Sequence, residues 1–353
     1  MQFGLLYMMF GHQPADDPSF YRDVLDQVEE ADRIGFDCVW FAEHHFETAS
    51  EFCGRLPAPM LFVSAAAQRT KRIRIGTGVR VLSLHNPVIM AEEAAVADIL
   101  TGGRLNLGAG QGVNPDLEKF GLSTAEKHPR YREMLDVMTG AWKPGTITYD
   151  GTYFQYDDVC VIPKPIQKAR DMLWVAARDQ GSIEYAGQHG YALLIGQAEP
   201  TARQAMYAAQ YRQAALAAGN QPRVGGTRLV FVGETTAEAR AEIEDSIWRY
   251  YRRFSGSPYY KLAIEEGRIR PNDNPSMEEA MENLNFIVGD PEHVAEQLEP
   301  FCNALGVTTL TCMMHVAGIR HDQMIRSMRL FQREVKPCLL ARLGAAAPVE
   351  GTV

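Results

Sequence analysis

The chain has 353 residues, 46% of them hydrophobic, so it is long and apolar enough to bury a large core without disulfides or a structural metal. Its 35 Lys and Arg against 44 Asp and Glu give a net charge of -9, which argues against nucleic acid and anionic membranes as partners. No two of the six cysteines have CxxC spacing, and the apolar N-terminus lacks a basic flank and a cleavage site, so we expect a reduced, cytoplasmic chain.

Eight short apolar runs predict β-strands that are buried on both faces, as in a parallel sheet. In chain order they are Phe3–Met8, Asp37–Ala42, Arg74–Leu82, Leu105–Gly108, Leu173–Ala176, Ala192–Ile195, Thr227–Val232 and Thr308–Met314. Helices are predicted between them, several beginning at or next to a proline, which the first turn of a helix tolerates. They are Pro18–Ile34, Pro57–Gln68, Pro87–Leu100, Pro129–Trp142, Gly181–Gln188, Pro200–Ala218, Thr236–Phe254 and His321–Leu340.

Eight strands that alternate with helices predict an α/β fold, a closed (β/α)8 barrel of the TIM type. A doubly wound open sheet is the alternative, because periodicity alone does not distinguish the two. No linker divides the chain, so we expect one barrel domain over residues 1–345 and a flexible tail at 346–353. Two insertions interrupt the repeat: residues 146–156 predict a hairpin, and the polar residues 255–285 predict either an active-site lid or a surface loop.

In a barrel the chemistry lies where the strands end, and the second strand ends in Glu43, His44 and His45. Successive residues of an extended segment point to opposite sides, so at most one of the two histidines faces the barrel mouth. A neutral imidazole there is able to act as a base, whereas the structural alternative is a buried histidine bonded to backbone. The two histidines lack the spacing of HExxH, so no metal site is expected.

Glycines are concentrated in the third and fourth strands. Such glycines indicate either the close approach of a flat ligand to the backbone or simply room for packing. A dinucleotide fingerprint is rejected, because the spacing is GxGxG and residues 113–115 are not expected to begin a helix at once. The glycines in question are Gly76, Gly78, Gly108, Gly110 and Gly112.

The fifth strand ends in a small polar turn, residues 176–182, that opens a helix. The first turn of a helix presents free N–H groups and the positive end of the helix dipole, which together favour phosphate. Ser182 is either a ligand at this point or the cap of the helix. Arg130, at the start of the preceding helix, would add a charged fork to a phosphate site.

Together these segments resemble the luciferase-like flavin-dependent monooxygenases, and in particular their alkanal monooxygenase branch. The resemblance runs from the first strand to the last helix, and the Glu-His-His run in its strand context is its most specific part. The similar segments are residues 35–46 (GFDCVWFAEHHF), 76–79 (GTGV), 86–88 (NPV), 91–93 (AEE), 102–105 (GGRL) and 327–332 (SMRLFQ), with Val335 and Pro337.

The resemblance implies roles for single residues. His44 corresponds to the catalytic histidine that handles protons beside the flavin, and Gly78 and Val79 correspond to a cis peptide behind the flavin ring. The other flavin contacts that it implies are Gly110 at the ring, Arg130 at the phosphate, and Ala176, Arg178, Gly181 and Ser182 in the loop around the phosphate and ring edge.

Two departures from luciferase argue against light emission and leave the oxygenase function in place. Gly110 stands where luciferase has a reactive cysteine. Gln111 stands where luciferase has a phosphate-binding arginine, and Arg178 is the residue that we expect to replace its charge.

The activity implied is that of an FMN-dependent monooxygenase. Reduced FMN would come from a separate flavin reductase, because no nicotinamide-binding domain is evident, and oxygen would add to it to give a peroxyflavin. This species would oxygenate a small organic substrate, such as an aldehyde or ketone. The resemblance also implies a homodimer. Two alternatives stay open: a deazaflavin-dependent oxidoreductase of the same fold, and a flavin-binding protein without catalysis.

Overall fold

The strands form one large parallel sheet and one hairpin in the computed structural model, which describes residues 1–10, 17–46, 55–256, 258–265, 269 and 274–345. Eight strands pair in parallel around a ring, and the last of them pairs with the first. The predicted (β/α)8 barrel is therefore confirmed and the open sheet is excluded. The strands are β1 Gln2–Tyr7, β2 Cys38–Phe41, β3 Arg74–Val81, β4 Leu105–Gly110, β5 Thr146–Asp150, β6 Gln155–Cys160, β7 Leu173–Ala176, β8 Ala192–Ile195, β9 Val224–Val232, β10 Phe286–Gly289 and β11 Thr309–His315. The ring order is β1, β2, β3, β4, β7, β8, β9, β11.

Helices surround the barrel and connect its strands. Within the described ranges, none is long and apolar enough to cross a bilayer. A 3₁₀ turn at Leu82–Leu84 precedes the third helix, and a π-helical turn at Phe331–Val335 divides the helix that we predicted at 321–340. The helices are α1 Asp17–Ile34, α2 Pro59–Arg69, α3 Pro87–Leu100, α4 Asn114–Lys119, α5 Lys127–Ala141, α6 Ala169–Met172, α7 Gln180–His189, α8 Thr201–Ala217, α9 Thr236–Ser255, α10 Pro258–Glu265, α11 Met277–Leu284, α12 Pro291–Leu305, α13 His321–Leu330 and α14 Lys336–Ala345.

The core has two parts, because every barrel strand is covered on both sides. Inside the barrel, the rings of Trp40 on β2 and Trp174 on β7 meet edge to face, with centroids 5.1 Å apart. Outside it, Phe41 of β2 packs against Phe62 of α2, with centroids 4.8 Å apart. Burial of side chains of this size stabilises the fold by about 1.5–3 kcal/mol each. Two buried faces explain why the strands are continuous apolar runs rather than alternating ones.

Two elements between the second insertion and the last barrel strand were missed. The short strand β10 pairs with the second half of β9, beside the ring, with Phe286 next to Leu229. The helix α12 begins at a normal cap, since the Asp290 carboxylate accepts the His293 N–H at 2.9 Å. Pro300 lies inside α12, and an interior proline argues against a helix when only local sequence is considered.

One expectation about the fourth strand was wrong. We expected no helix to begin at residues 113–115, yet α4 begins at Asn114, with Pro115 near its start. A proline in the first turn suits a helix, because the N–H that it lacks would have no acceptor there. The rejection of a dinucleotide fingerprint still rests on the GxGxG spacing.

The two insertions have different structures. Residues 146–160 form an antiparallel hairpin, and its turn is held by the Glu133 carboxylate of α5, which accepts the N–H groups of Thr152 at 2.8 Å and Tyr153 at 2.9 Å. The described part of 255–285 includes α10 and α11, whereas residues 257, 266–268 and 270–273 lie outside the described residues. The tail expected at 346–353 also lies outside them.

Candidate active site

The predicted site residues follow four strands that are neighbours in the barrel, β2, β3, β4 and β7. Because all barrel strands are parallel, their carboxyl ends lie at the same end of the molecule. The segments that follow these strands therefore share one side of the barrel mouth. They are residues 42–46, 82–85, 111–113 and 177–182.

A buried carboxylate organises the segment after β2. The Glu43 side chain is 0% exposed, and its Oε2 lies 3.1 Å from Nη1 of Arg80 and accepts the Val81 N–H at 2.9 Å. Its Oε1 lies 3.0 Å from Nε2 of His45 and 3.5 Å from Nε2 of His85. Burial alone would raise the pKa of Glu43, but His85, Arg80, His45 and the Val81 N–H together lower it below its usual range. Glu43 is therefore an anion held among donors.

His44 lies between two residues of that network. Its main-chain N–H donates to the Leu56 carbonyl at 3.4 Å, and its side chain is half-buried. The neighbouring His45 turns toward Glu43 and packs edge to face on Phe120, with centroids 5.1 Å apart. The His45 side chain therefore belongs to the Glu43 network.

The glycines of β3 and β4 bring backbone close to the interior of the mouth. The peptide between Gly78 and Val79 is cis, as the family resemblance implies. A Cβ on Gly78 would lie 3.0 Å from side-chain carbons of both Leu6 and Trp40. A Cβ on Gly110 would collide with the Val79 side chain. These positions therefore accept only glycine without rearrangement, and they form a wall of backbone and the Val79 side chain.

The start of α7 is tied to the segment after β4. Asp179 caps the helix, because its Oδ1 accepts the Ser182 N–H at 2.9 Å. Gln111 Nε2 donates to the Ser182 Oγ at 3.0 Å and to the Asp179 Oδ2 at 3.3 Å. Burial alone would raise the pKa of Asp179, but Ser182, His128 and Gln111 outweigh it and lower the pKa. Ser182 is 1% exposed, so it belongs to the cap rather than to the surface.

The arginine beside this helix start is Arg132, whereas the sequence pattern led us to expect Arg130. A side chain at Gly181 would meet Nη1 of Arg132 at 3.6 Å. The Arg130 guanidinium instead lies over the Phe154 ring of the hairpin, 4.8 Å from its centroid. The physical reason is helix geometry: residues two apart on α5 point about 200° away from each other.

Ala176 and Arg178, two other residues predicted to contact the flavin, lie in different surroundings. Ala176 ends β7, where it pairs with Leu194, and it is half-buried at the mouth. Arg178 extends toward β8, with its Nε 3.4 Å from Oε1 of Glu199, and its side chain is 45% exposed. Arg178 therefore has an anionic partner of its own, and the group that contacts Ser182 beside it is the neutral amide of Gln111.

A signal for Arg132 was present in the sequence. His128, Arg132 and Asp136 are spaced four apart, so they lie along one face of α5. That face meets α7, because Tyr185 OH donates to the Asp136 Oδ1 at 2.5 Å and His128 lies 3.4 Å from Asp179. Only the pairing of this face with α7 identifies it as the side near the helix start.

The described residues contain no group of three His, Cys, Asp or Glu side chains arranged to hold a metal ion. Three cysteines are buried: Cys38 is 1%, Cys302 3% and Cys312 0% exposed. Cys53 lies outside the described residues.

Comparison with known proteins gives relatives of two kinds, flavin-dependent monooxygenases and F420-dependent dehydrogenases. The chain is 34% identical over 173 residues to the oxygenase component of the flavin-dependent trigonelline monooxygenase of Acinetobacter baylyi, covering 48% of this chain and 47% of that protein. It is 26% identical over 337 residues to the F420-dependent glucose-6-phosphate dehydrogenase of Segniliparus rotundus, covering 90% of this chain and 94% of that protein.

A solved structure shows the same fold. It is the oxygenating constituent of 3,6-diketocamphane monooxygenase of Pseudomonas putida, a type II Baeyer-Villiger monooxygenase in complex with FMN, with a TM-score of 0.78 and 22% identity. The match covers 96% of this chain and 98% of that one. The family model for luciferase-like monooxygenases matches residues 1–309. The chain therefore belongs to the luciferase-like monooxygenase family.

Proposed function

We propose that this chain is the oxygenase of a two-component system, which receives reduced FMN from a separate flavin reductase and uses molecular oxygen to oxygenate a small organic substrate. The relatives support this division of labour, since the trigonelline enzyme is an oxygenase component and the diketocamphane enzyme an oxygenating constituent. An aldehyde or ketone is the substrate class that we propose, on the resemblance to the alkanal monooxygenase branch.

The start of α7 fits the phosphate of FMN. The N–H groups of Gln180 and Gly181 have no acceptor within the helix, and the helix dipole adds partial positive charge at this end. Arg132 lies beside Gly181, and its Nε is buried without a hydrogen-bond partner. A phosphate at this point would accept charge-assisted hydrogen bonds from these donors. The Arg132 guanidinium beside the free N–H groups of this helix start is the observation that carries the proposal.

The wall at Gly78, Val79 and Gly110 supports a site for the flat flavin ring, because Gly78 and Val79 are only half-buried and the two glycines add no side chain of their own to it. Bound reduced flavin would supply the electrons that activate oxygen. The chain's own residues orient the ring, exclude water from it and move a proton at the His44 imidazole. His44 follows β2, the immediate neighbour of the glycine-bearing strand β3.

Anaerobic titration with reduced FMN and, separately, with a reduced deazaflavin coenzyme tests this function. We expect the chain to bind FMN more tightly and, after oxygen is admitted, to convert a member of an aldehyde and ketone panel to an oxygenated product. The F420-dependent relative supports hydride transfer without oxygen as the second candidate. Tighter binding of the deazaflavin, with turnover that needs no oxygen, would replace the monooxygenase proposal by that candidate.

The homodimer is a further part of the proposal. The outer face of α3 exposes Ile89 by 62%, Val96 by 44% and Leu100 by 49%, an apolar surface of the kind that subunit interfaces bury. Sedimentation equilibrium of the purified chain tests it, and a single species of 39.4 kDa would contradict it.

A further inference from the structure

Glu43 is hydrogen-bonded to two residues of β3, Val79 and Val81. Its main-chain N–H donates to the Val79 carbonyl at 3.2 Å, and its carboxylate accepts the Val81 N–H at 2.9 Å. One residue of the segment after β2 thus holds two residues of β3 through main-chain groups. His44 is the next residue along the chain, so it is attached directly to this anchor.

The same carboxylate holds three cationic or polar side chains. Arg80 lies 3.1 Å from Oε2, and the imidazoles of His45 and His85 lie 3.0 Å and 3.5 Å from Oε1. His85 precedes α3, so the carboxylate links the segments after β2 and β3 to the start of that helix. Arg80 continues the link, because its Nη2 lies 3.2 Å from Oε2 of Glu93 on α3.

Stability is a weak reason for such a group. A carboxylate that leaves water loses its hydration, and a buried ion pair is often replaceable by packed apolar side chains without loss of stability. A buried carboxylate instead defines the geometry of the groups around it, since each donor must point at one of its two oxygens. Among these donors, His45 belongs to the segment after β2, which carries His44, and Val81 belongs to β3, which carries Val79.

We propose that Glu43 is the positioning residue of this site, whose carboxylate clamps the segment after β2 to β3 so that the His44 imidazole and the Val79 wall contact the same ligand. The inference rests on the proposed function, because it gives Glu43 a role toward the flavin through His44 and Val79. Glu43 itself does not touch the reacting atoms.

Glu43→Gln tests the clamp with little change of shape. The amide keeps one acceptor oxygen, so its NH2 group must face either the Val81 N–H and Arg80 or the two imidazoles. Glu93→Gln is the matched control, since Glu93 contacts the same Arg80 from α3. We expect kcat to fall by about tenfold or more in Glu43→Gln, as for the loss of a charged hydrogen bond, and to stay within about twofold in Glu93→Gln.

A readout on the flavin-free protein makes the test independent of turnover. Imidazole ¹H–¹⁵N spectra, with signals identified by substituting each histidine in turn, should show that Glu43→Gln shifts the resonances of His44, His45 and His85. Glu93→Gln should leave the His44 resonance in place. An unchanged His44 resonance in a folded Glu43→Gln protein would overturn the proposal, as would a kcat equal to that of the wild type.

A double-mutant cycle separates positioning from a general loss of structure. If Glu43 acts through His44, Glu43→Gln should change residual product formation by no more than about twofold in a His44→Ala background. An equal fall in both backgrounds would refute action through His44. If Glu43→Gln does not fold, Glu43→Asp, which keeps the charge but draws it back, takes its place in all three measurements. If His44→Ala turns over at the wild-type rate, that result contradicts the proposed function instead. The imidazole spectra still test the clamp in that case.

Discussion

Gln111 and Ser182 are joined by a hydrogen bond from Nε2 to Oγ of 3.0 Å, although they lie 71 residues apart in the chain. This bond attaches the end of β4 to the first turn of α7. It therefore links the proposed site of the flavin ring, at Gly110, to the proposed site of the phosphate, at Gly181. One ligand can contact both the wall and the helix start only if their relative position is maintained.

Arg132→Ala should weaken binding of reduced FMN by about 1–3 kcal/mol, because a charged donor beside the α7 start is lost. Arg130→Ala is the matched control, since that guanidinium lies over Phe154 on another side of α5. The dissociation constants from anaerobic fluorescence titration decide the matter. Equal weakening by both substitutions, or weakening by Arg130→Ala alone, would reject Arg132 as the phosphate residue.

Gly110→Ala should disturb the wall formed by Gly78, Val79 and Gly110, because the new methyl group collides with the Val79 side chain. Overpacking of this kind costs about 1–3 kcal/mol, and we expect it to appear both in the free energy of unfolding and in FMN affinity. Gly344→Ala on α14 is a suitable control, because no atom lies within 4 Å of a Cβ at that position. Urea denaturation and flavin titration measure the two effects. Wild-type values for Gly110→Ala would show that the wall adapts at no cost.

His44→Ala should retain FMN binding and lower product formation by about 100-fold or more, the usual loss when a general acid or base is removed. The control is His189→Ala, which removes an exposed imidazole near the far end of α7. Product analysis under identical flavin and oxygen supply measures the effect. If His44→Ala turns over as fast as His189→Ala, His44 has no role in the chemistry.

The pH dependence of stability should report the charge on Glu43. Its pKa is lowered in the folded state relative to a value of about 4.3 in the unfolded chain, so the folded state binds fewer protons. The stabilisation is therefore fully present above the unfolded pKa and is lost as the pH falls through the folded pKa. We expect the difference in unfolding free energy between wild type and Glu43→Gln to be largest near neutral pH and to shrink below about pH 4.5.

Denaturant titrations at a series of pH values measure this difference. Glu93→Gln run in parallel accounts for the charge that Arg80 shares with α3. A difference that stays constant down to about pH 3, well below the unfolded pKa, would mean that folding does not lower the pKa of Glu43.

Much of the barrel could be predicted from the chain's apolar pattern, because strands covered on both faces must be continuous apolar runs. Each of the eight predicted runs became a barrel strand, although β9 begins three residues earlier than expected. The strand β10 and the helix α12 escaped, since four residues and an interior proline give weak local signals. Local patterns thus identified the buried barrel strands. They missed the elements that are stabilised mainly by contacts with neighbouring elements.

The amino-acid sequence by itself determined the barrel, the strand ends that carry the site, and the presence there of His44, Gly78 and Gly110, since each follows from local periodicity or from a motif. Only the tertiary structure decided which arginine meets α7. That choice depends on the rotation of α5 about its axis, which is set when Tyr131 is buried with its hydroxyl on the Ala109 carbonyl. The contacts of Glu43 were decided in the same way, because the donors Val81 and His85 lie 38 and 42 residues away and meet it only when the barrel closes.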